Sequence, residues 1–235
     1  MTDVRAGGDS FALHGLTLAL DASTARGSVA VLRDGAVAAR TSATMRGATE
    51  ERLMPAVAAA LDAADVRPGE LTRVVCGGGP GGFTGLRIAA GIAKGIALAS
   101  GVPLYAVSSL ALVVAGEAPS LPPGRYAAVT DAMRGERFVQ PAELRADGQV
   151  VPSGPARLVA VAELGGLAQA EGWHCLGPQE PGHVAWPEAA GIVRLAGSLA
   201  GVPPVSLGAW EPDYGRLAEA QVKWEAAHGR ALPAR

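Results

Sequence analysis

The sequence predicts an α/β protein with mixed sheets, on three observations. Short apolar runs and amphipathic stretches follow one another in the order βββαβαβα over the first hundred or so residues, which places antiparallel strands early and helix-joined strands later. Asp34-Gly35 between two apolar runs is a two-residue hairpin signal. A glycine-rich turn, Gly77-Gly78-Gly79-Pro80-Gly81-Gly82-Phe83-Thr84-Gly85, joins a strand to a long apolar helix.

In chain order, residues 1–15 with Gly7-Gly8-Asp9-Ser10 read as a loose N-terminal extension. Apolar runs at 16–21, 28–33 and 36–41 form a three-stranded meander. Residues 51–64 turn helical, with Leu53, Val57, Leu61 and Ala64 on one stripe and Pro55 in or near the first turn, where proline is tolerated. Strands follow at 74–77 and 103–107, with a helix at 85–100 between them that Thr84 is placed to cap. A third helix starts at Ser108 or Ser109.

Prolines at 119, 122 and 123 set a boundary near Gly116. Beyond it, strands at 126–131 and 136–144, the Asp147-Gly148 turn and Val150-Val151 make a second antiparallel unit. Helix, strand and helix are expected at 159–170, 173–176 and 189–199, and a polar helix to about Ala227. The division is an extension at 1–15, a first subdomain at 16–116, a smaller one at 117–210 and a C-terminal segment at 211–235.

Composition excludes some classes. Lys+Arg 20 against Asp+Glu 22 gives a formal net charge of -2, so no overall positive field attracts nucleic acid, and any RNA contact is local or shared with a partner. Cys76 ends an apolar strand and Cys175 stands beside His174 without CxxC spacing, as in a reducing compartment. No apolar leader core precedes Gly15, and the run at 16–20 is too short to span a bilayer; the expectation is a cytoplasmic protein without a membrane role.

The glycine turn matches the letters GxGxxG. However, no acidic residue lies between Arg87 and Glu117 to hold a ribose, and no lysine follows the last glycine as a P-loop requires. Two readings stay open for the turn: an anion or nucleotide loop with Asp21, Ser23, Thr24, Gly79, Gly81, Gly82 and Thr84, or a tight structural turn. His14, His174, His183 and His228 form no HxxxH or HExxH pair, so no metal site is expected. Asp21, Asp131 and Glu136 form an acid/base group only if the strands bring them together.

The 85–100 helix carries only Arg87 and Lys94 as charges, seven residues apart and so on one face. Ile88, Ile92, Ile96 and Ala99 are expected to face the sheet. Gly91 and Gly95 each weaken a helix by up to ~1 kcal/mol relative to alanine, which makes sense where another backbone packs closely. Ala56, Ala59, Ala60 and Ala63 give the preceding helix a similar small-residue face. The two faces suit docking of a second copy or of a different protein; ordinary packing within the domain is the alternative.

Asp21-Ala22-Ser23-Thr24 resembles the first phosphate loop of actin-like ATPases. Residues 18–31, Gly78 to Arg87, Ala106-Val107-Ser108-Ser109-Leu110, Asp131 to Glu136 and Pro212-x-Tyr214-x-Arg216 together resemble the bacterial TsaB (YeaZ) family over nearly the whole of 16–216. The resemblance implies an actin-like, ribonuclease H-like fold of two subdomains, the second reduced. It implies a non-catalytic paralogue of TsaD that joins TsaD and TsaE to place threonylcarbamoyl on N6 of the adenosine beside the anticodon (t6A) in tRNAs reading codons that begin with A. TsaD is then bound through the first two helices, with Leu53, Val57, Ala60, Arg87, Gly91, Lys94, Gly95 and Leu98 at the interface, and the chain homodimerises without TsaD. tRNA is met only through the complex. No cofactor of its own is implied, and ATP or ADP has a place only at the TsaD interface.

Ser109 and Val113 stand where the NHxxxH metal motif of TsaD has its two histidines. The sequence departs from the family in its shifted Arg134 and in Thr49-Glu50-Glu51-Arg52 at the start of the first helix. The alternative is an independent phosphotransferase or peptidase of the actin-like superfamily, with Asp21 and Asp131 as metal or base residues.

Overall fold

The computed structural model describes residues 13–45, 47 and 50–216. Most of the expected N-terminal extension, Thr49, His228 and the polar helix to Ala227 lie outside the described residues.

Strands β1 (Leu16–Asp21), β2 (Arg26–Arg33) and β3 (Ala36–Thr44) form the antiparallel meander. Asp34 and Gly35 turn the β2–β3 hairpin at φ 50° and 79°, the left-handed pair such a turn requires. Helix α1 (Leu53–Ala63), strand β4 (Arg73–Gly77), helix α2 (Phe83–Ser100) and strand β5 (Leu104–Val107) follow, and β4 and β5 run parallel to β1. The first sheet has the order β3-β2-β1-β4-β5. Helix α3 (Ser109–Glu117) begins at Ser108, whose Oγ accepts from the Ala111 N–H.

The second sheet holds β6 (Gly124–Asp131), β7 (Glu136–Leu144), β8 (Val150–Pro152), β9 (Arg157–Ala160) and β10 (His174–Leu176), ordered β10-β6-β7-β8 with β9 also on β7. Helix α4 (Val161–Glu171) covers its outer face, where Val129, Val139, Leu164 and Trp173 cluster. Helices α1 and α2 cover the outer face of the first sheet.

Between the sheets lies α3, buried from Ser109 to Ala115, in one core with Val75 and Leu32 of the first sheet and Phe138 and Ala128 of the second. Ser109 apart, its buried residues are all apolar, as a helix enclosed on every side requires.

Three expectations change. Helix α2 starts two residues early, capped by the backbone at Gly82, so Thr84 lies inside its first turn. Strand β9 pairs where the expected helix was to begin. Residues 189–199 make a 3-10 segment, Ala189–Arg194, and a one-turn helix, α5 (Ala196–Leu199). There Gly191 packs against α3 so closely that a Cβ would lie 2.9 Å from the Ala115 carbonyl carbon.

By length and a mean hydropathy of 1.2, α2 could cross a membrane. Here it covers a sheet with Leu86, Ala89, Ala90, Ala93 and Ala97, whereas Ile88, Ile92 and Ile96 are half-buried on its flank. The expected inward stripe is therefore corrected: the isoleucines pack only at the edge of that core and Ala99 is exposed, while alanines bring the helix axis closer to the strands.

Ser28 joins the layers: its buried hydroxyl donates to Glu188 Oε2 at 3.1 Å and accepts from the Ala189 N–H at 2.9 Å. Ser28→Ala leaves that buried N–H unpaired and is expected to cost roughly 2 kcal/mol. Urea unfolding of both proteins measures it.

Candidate functional site

The glycine turn and the Asp21-Ser23 turn meet at the end of the first sheet. Asp21 is fully buried, and its carboxylate accepts from Ser23 N–H at 2.9 Å, Ser23 Oγ at 2.8 Å and Ser109 Oγ at 2.5 Å. Burial pushes its pKa above the usual carboxylate value, with the three donors pulling the other way. The same burial, with Asp21 alongside, pushes the Cys76 thiol up. Gly77 is required beneath the carboxylate, since a Cβ there would fall 1.8 Å from Asp21 Oδ2.

Ser109 and Gly79 exchange two hydrogen bonds, Ser109 N–H to Gly79 O and Gly79 N–H to Ser109 Oγ, both 3.0 Å. The Gly78 N–H donates to Val107 O and the Gly82 N–H to Ser23 O, both 2.7 Å. Cβ atoms at Gly79, Gly81 and Gly85 would meet the carbonyl oxygens of Asp213, Ser23 and Ala22 at 1.9, 2.4 and 2.0 Å.

The amides of 78, 79 and 82 are taken up within the chain, and carbonyl oxygens line the approach. On its inner side the turn packs backbone on backbone, as a tight structural turn does. Asp21, Ser23, Gly79, Gly81 and Gly82 are brought together in this knot, while the Thr24 hydroxyl bonds within its own turn to the Arg26 carbonyl and Thr84 is exposed.

The motif at 212–216 belongs to the same knot. Asp213 N–H donates to Gly78 O at 2.7 Å, the Tyr214 ring lies 4.7 Å from that of Phe83, and Arg216 pairs with Glu136 on β7. Upstream, Val205 N–H donates to Leu104 O at 2.8 Å. Residues 205–216 therefore strap the β5 edge and the glycine turn to the second sheet. Asp131 pairs with Arg137 at 2.7 Å and shares no contact with Asp21, so the acid/base group is not assembled. Among the described residues, no group of three or more His, Cys, Asp or Glu could hold a metal ion.

The expected interface residues separate into two sets. Leu53, Val57 and Ala60 are fully buried in the chain's own core, which removes them from any partner surface. Their stripe is the one that packs on the sheet, so the outward face of α1 is Met54, Pro55, Ala58, Ala59, Asp62 and Ala63. Arg87, Gly91, Gly95 and Leu98 form an exposed stripe on α2, with Leu98 73 % exposed and nothing within 4 Å of a Cβ at either glycine. Lys94 turns aside to the strap, donating to the Trp210 carbonyl with its Nζ 5.6 Å from the ring centroid. The outward residues of α1 were legible as the complement of its apolar stripe; the strap contacts had no local signal.

A sheet of order β3-β2-β1-β4-β5, a second mixed sheet and a shared central helix define an α/β protein of the actin-like, ribonuclease H-like class. The comparisons narrow this. A family model described as "TsaD: tRNA N6-adenosine threonylcarbamoyltransferase" matches residues 27–175. A crystal structure from Pseudomonas aeruginosa, of an uncharacterized protein with similarity to peptidase YeaZ, superposes with a TM-score of 0.74 at 30 % identity, covering 86 % of this chain and all of that one. The tRNA threonylcarbamoyladenosine biosynthesis proteins TsaB of Bacillus subtilis and Escherichia coli are 34 % and 36 % identical over 121 residues, 52 % of this chain and of each of theirs. The chain thus spans about half the length of the curated relatives it matches. It belongs to the TsaB (YeaZ) family.

The knot gives two expected outcomes. Gly77→Ala drives a methyl into the Asp21 carboxylate and should destabilise by on the order of 3 kcal/mol in denaturant unfolding. Because the folded pKa of Asp21 is raised, its ionisation opposes folding, so stability falls as pH rises from the ordinary carboxylate value through the folded one. Asp21→Asn keeps the acceptor for Ser23, donates to Ser109 Oγ, and should flatten that fall and raise the melting temperature at neutral pH.

Proposed function

We propose that this chain is a non-catalytic, cytoplasmic scaffold subunit of t6A biosynthesis. In this reading the outward faces of α1 and α2 dock against TsaD, in an assembly that includes TsaE and meets tRNA only as a whole. The observation that carries it is the exposed Arg87-Gly91-Gly95-Leu98 stripe, with open space above both glycines. Mid-helix glycines weaken α2, and no contact among the described residues accounts for them; a helix backbone approaching from outside would. The exposed Met54 and Phe83 add apolar rim to the same side.

Scaffolding, and not catalysis, is favoured by the state of Asp21, which is enclosed, held by two serines and disfavoured as an anion. The reading places no nucleotide in residues 77–85, whose inward amides are already bonded. Without TsaD, the same face pairs with a second copy.

Gly91→Leu tests the reading. The substitution meets open space and should raise helix stability by up to ~1 kcal/mol, so the melting temperature holds or rises. Co-elution with TsaD should be lost, and the self-dimer should dissociate in sedimentation. Unchanged co-elution by the folded variant would sink the proposal.

A further inference from the structure

A second candidate site lies on the second sheet. A cavity of about 740 Å³ opens between α4, β10 and the turn at 177–183, within the size range of small-molecule sites. Val161, Leu164 and Ala168 of α4 form its apolar wall. Gly165, in the middle of α4, also lines it, and nothing stands within 4 Å of where a Cβ would be. Gly165 is exposed, so a larger side chain there has room to project over the cavity mouth.

Two opposite charges face this space without pairing. Arg137 Nη1 donates to Asp131 Oδ1 at 2.7 Å and to the Glu136 carbonyl at 3.3 Å, which leaves the donors of Nε and Nη2. Glu180 has no side-chain hydrogen bond or ion pair among the described residues, although the Arg137 guanidinium is near enough to lower its raised pKa. A purely anionic ligand would face Glu180 and a purely cationic one Arg137. A molecule with both poles satisfies each.

We propose that this cavity binds a small zwitterion with an apolar body, a short hydrophobic peptide or amino acid, its carboxylate on Arg137 and its ammonium on Glu180. Val161, Leu164 and Ala168 receive the apolar part. Cys175 lies in the cavity wall at half burial, whereas the other cysteine, Cys76, is fully buried, so thiol labelling reports on occupancy.

The test titrates the full chain with the dipeptide Leu-Leu, following heat by calorimetry and the rate of maleimide labelling at Cys175. Saturable binding at millimolar concentration or below, with slowed labelling, is expected. N-acetyl-Leu-Leu, Leu-Leu amide and the Glu180→Gln variant should each bind at least about tenfold more weakly. Gly165→Leu, which fills open space, should abolish binding while the variant still melts cooperatively. No saturable heat and no protection at millimolar dipeptide would overturn the proposal, as would undiminished binding by Gly165→Leu or by the two blocked dipeptides.

Discussion

Close approach of backbone to backbone at the end of the first sheet is the constraint on which the architecture depends. Residues 77–85 lie beneath the Asp21 carboxylate, against the carbonyls of Ala22 and Ser23, and against the carbonyl of Asp213. Glycine at 77, 79, 81 and 85 makes these contacts feasible, because a Cβ at any of them would overlap an oxygen. With the turn held this way, Ser109 can bond Gly79 twice and Asp21 once, so the central helix, the first strand and the turn share one set of hydrogen bonds.

That knot changes what the end of the sheet can do. In open α/β sheets, ligands usually enter beyond the carboxyl ends of the strands, where glycine turns and helix N-termini leave amides free. Here the turn amides at 78, 79 and 82 already have partners and the strap at 205–216 closes over the turn. The same glycines that would admit a phosphate elsewhere admit the protein's own chain. Asp21 is accordingly an internal acceptor for serine hydroxyls, its charge opposed by burial.

Fixing the turn also fixes the direction of α2, and with it which residues α2 turns outward. The sheet takes Leu86 and the alanines, the flank takes the isoleucines, and the remaining stripe of Arg87, Gly91, Gly95 and Leu98 is left to solvent next to the outward face of α1. Arg87 lies 5.2 Å from the Phe83 ring centroid and Phe83 stacks on Tyr214, so the strap also borders this face. The knot inside and the docking surface outside are two consequences of one helix start.

Much of this was legible in the residues themselves. The alternating apolar runs, Asp34-Gly35 and the serine before α3 located most strands and helices, because hairpin turns and caps are local chemistry. The Gly91–Gly95 spacing already marked an outward small-residue stripe. Strand β9 was missed because four residues of β-structure next to a helix carry no period of their own, and the 3-10 form of 189–194 answers to the proximity of α3. Which face of the nearly all-apolar α2 turns inward is not periodic information either, so its isoleucines were misplaced, whereas on α1 the apolar stripe itself marks Leu53 and Val57 as core and not interface. Composition and spacing by themselves determined the fold class and the presence of a glycine turn before an apolar helix. That the inner side of the turn meets other backbone depended on carbonyls from residues 22, 23 and 213, and only the folded chain brings those against its glycines.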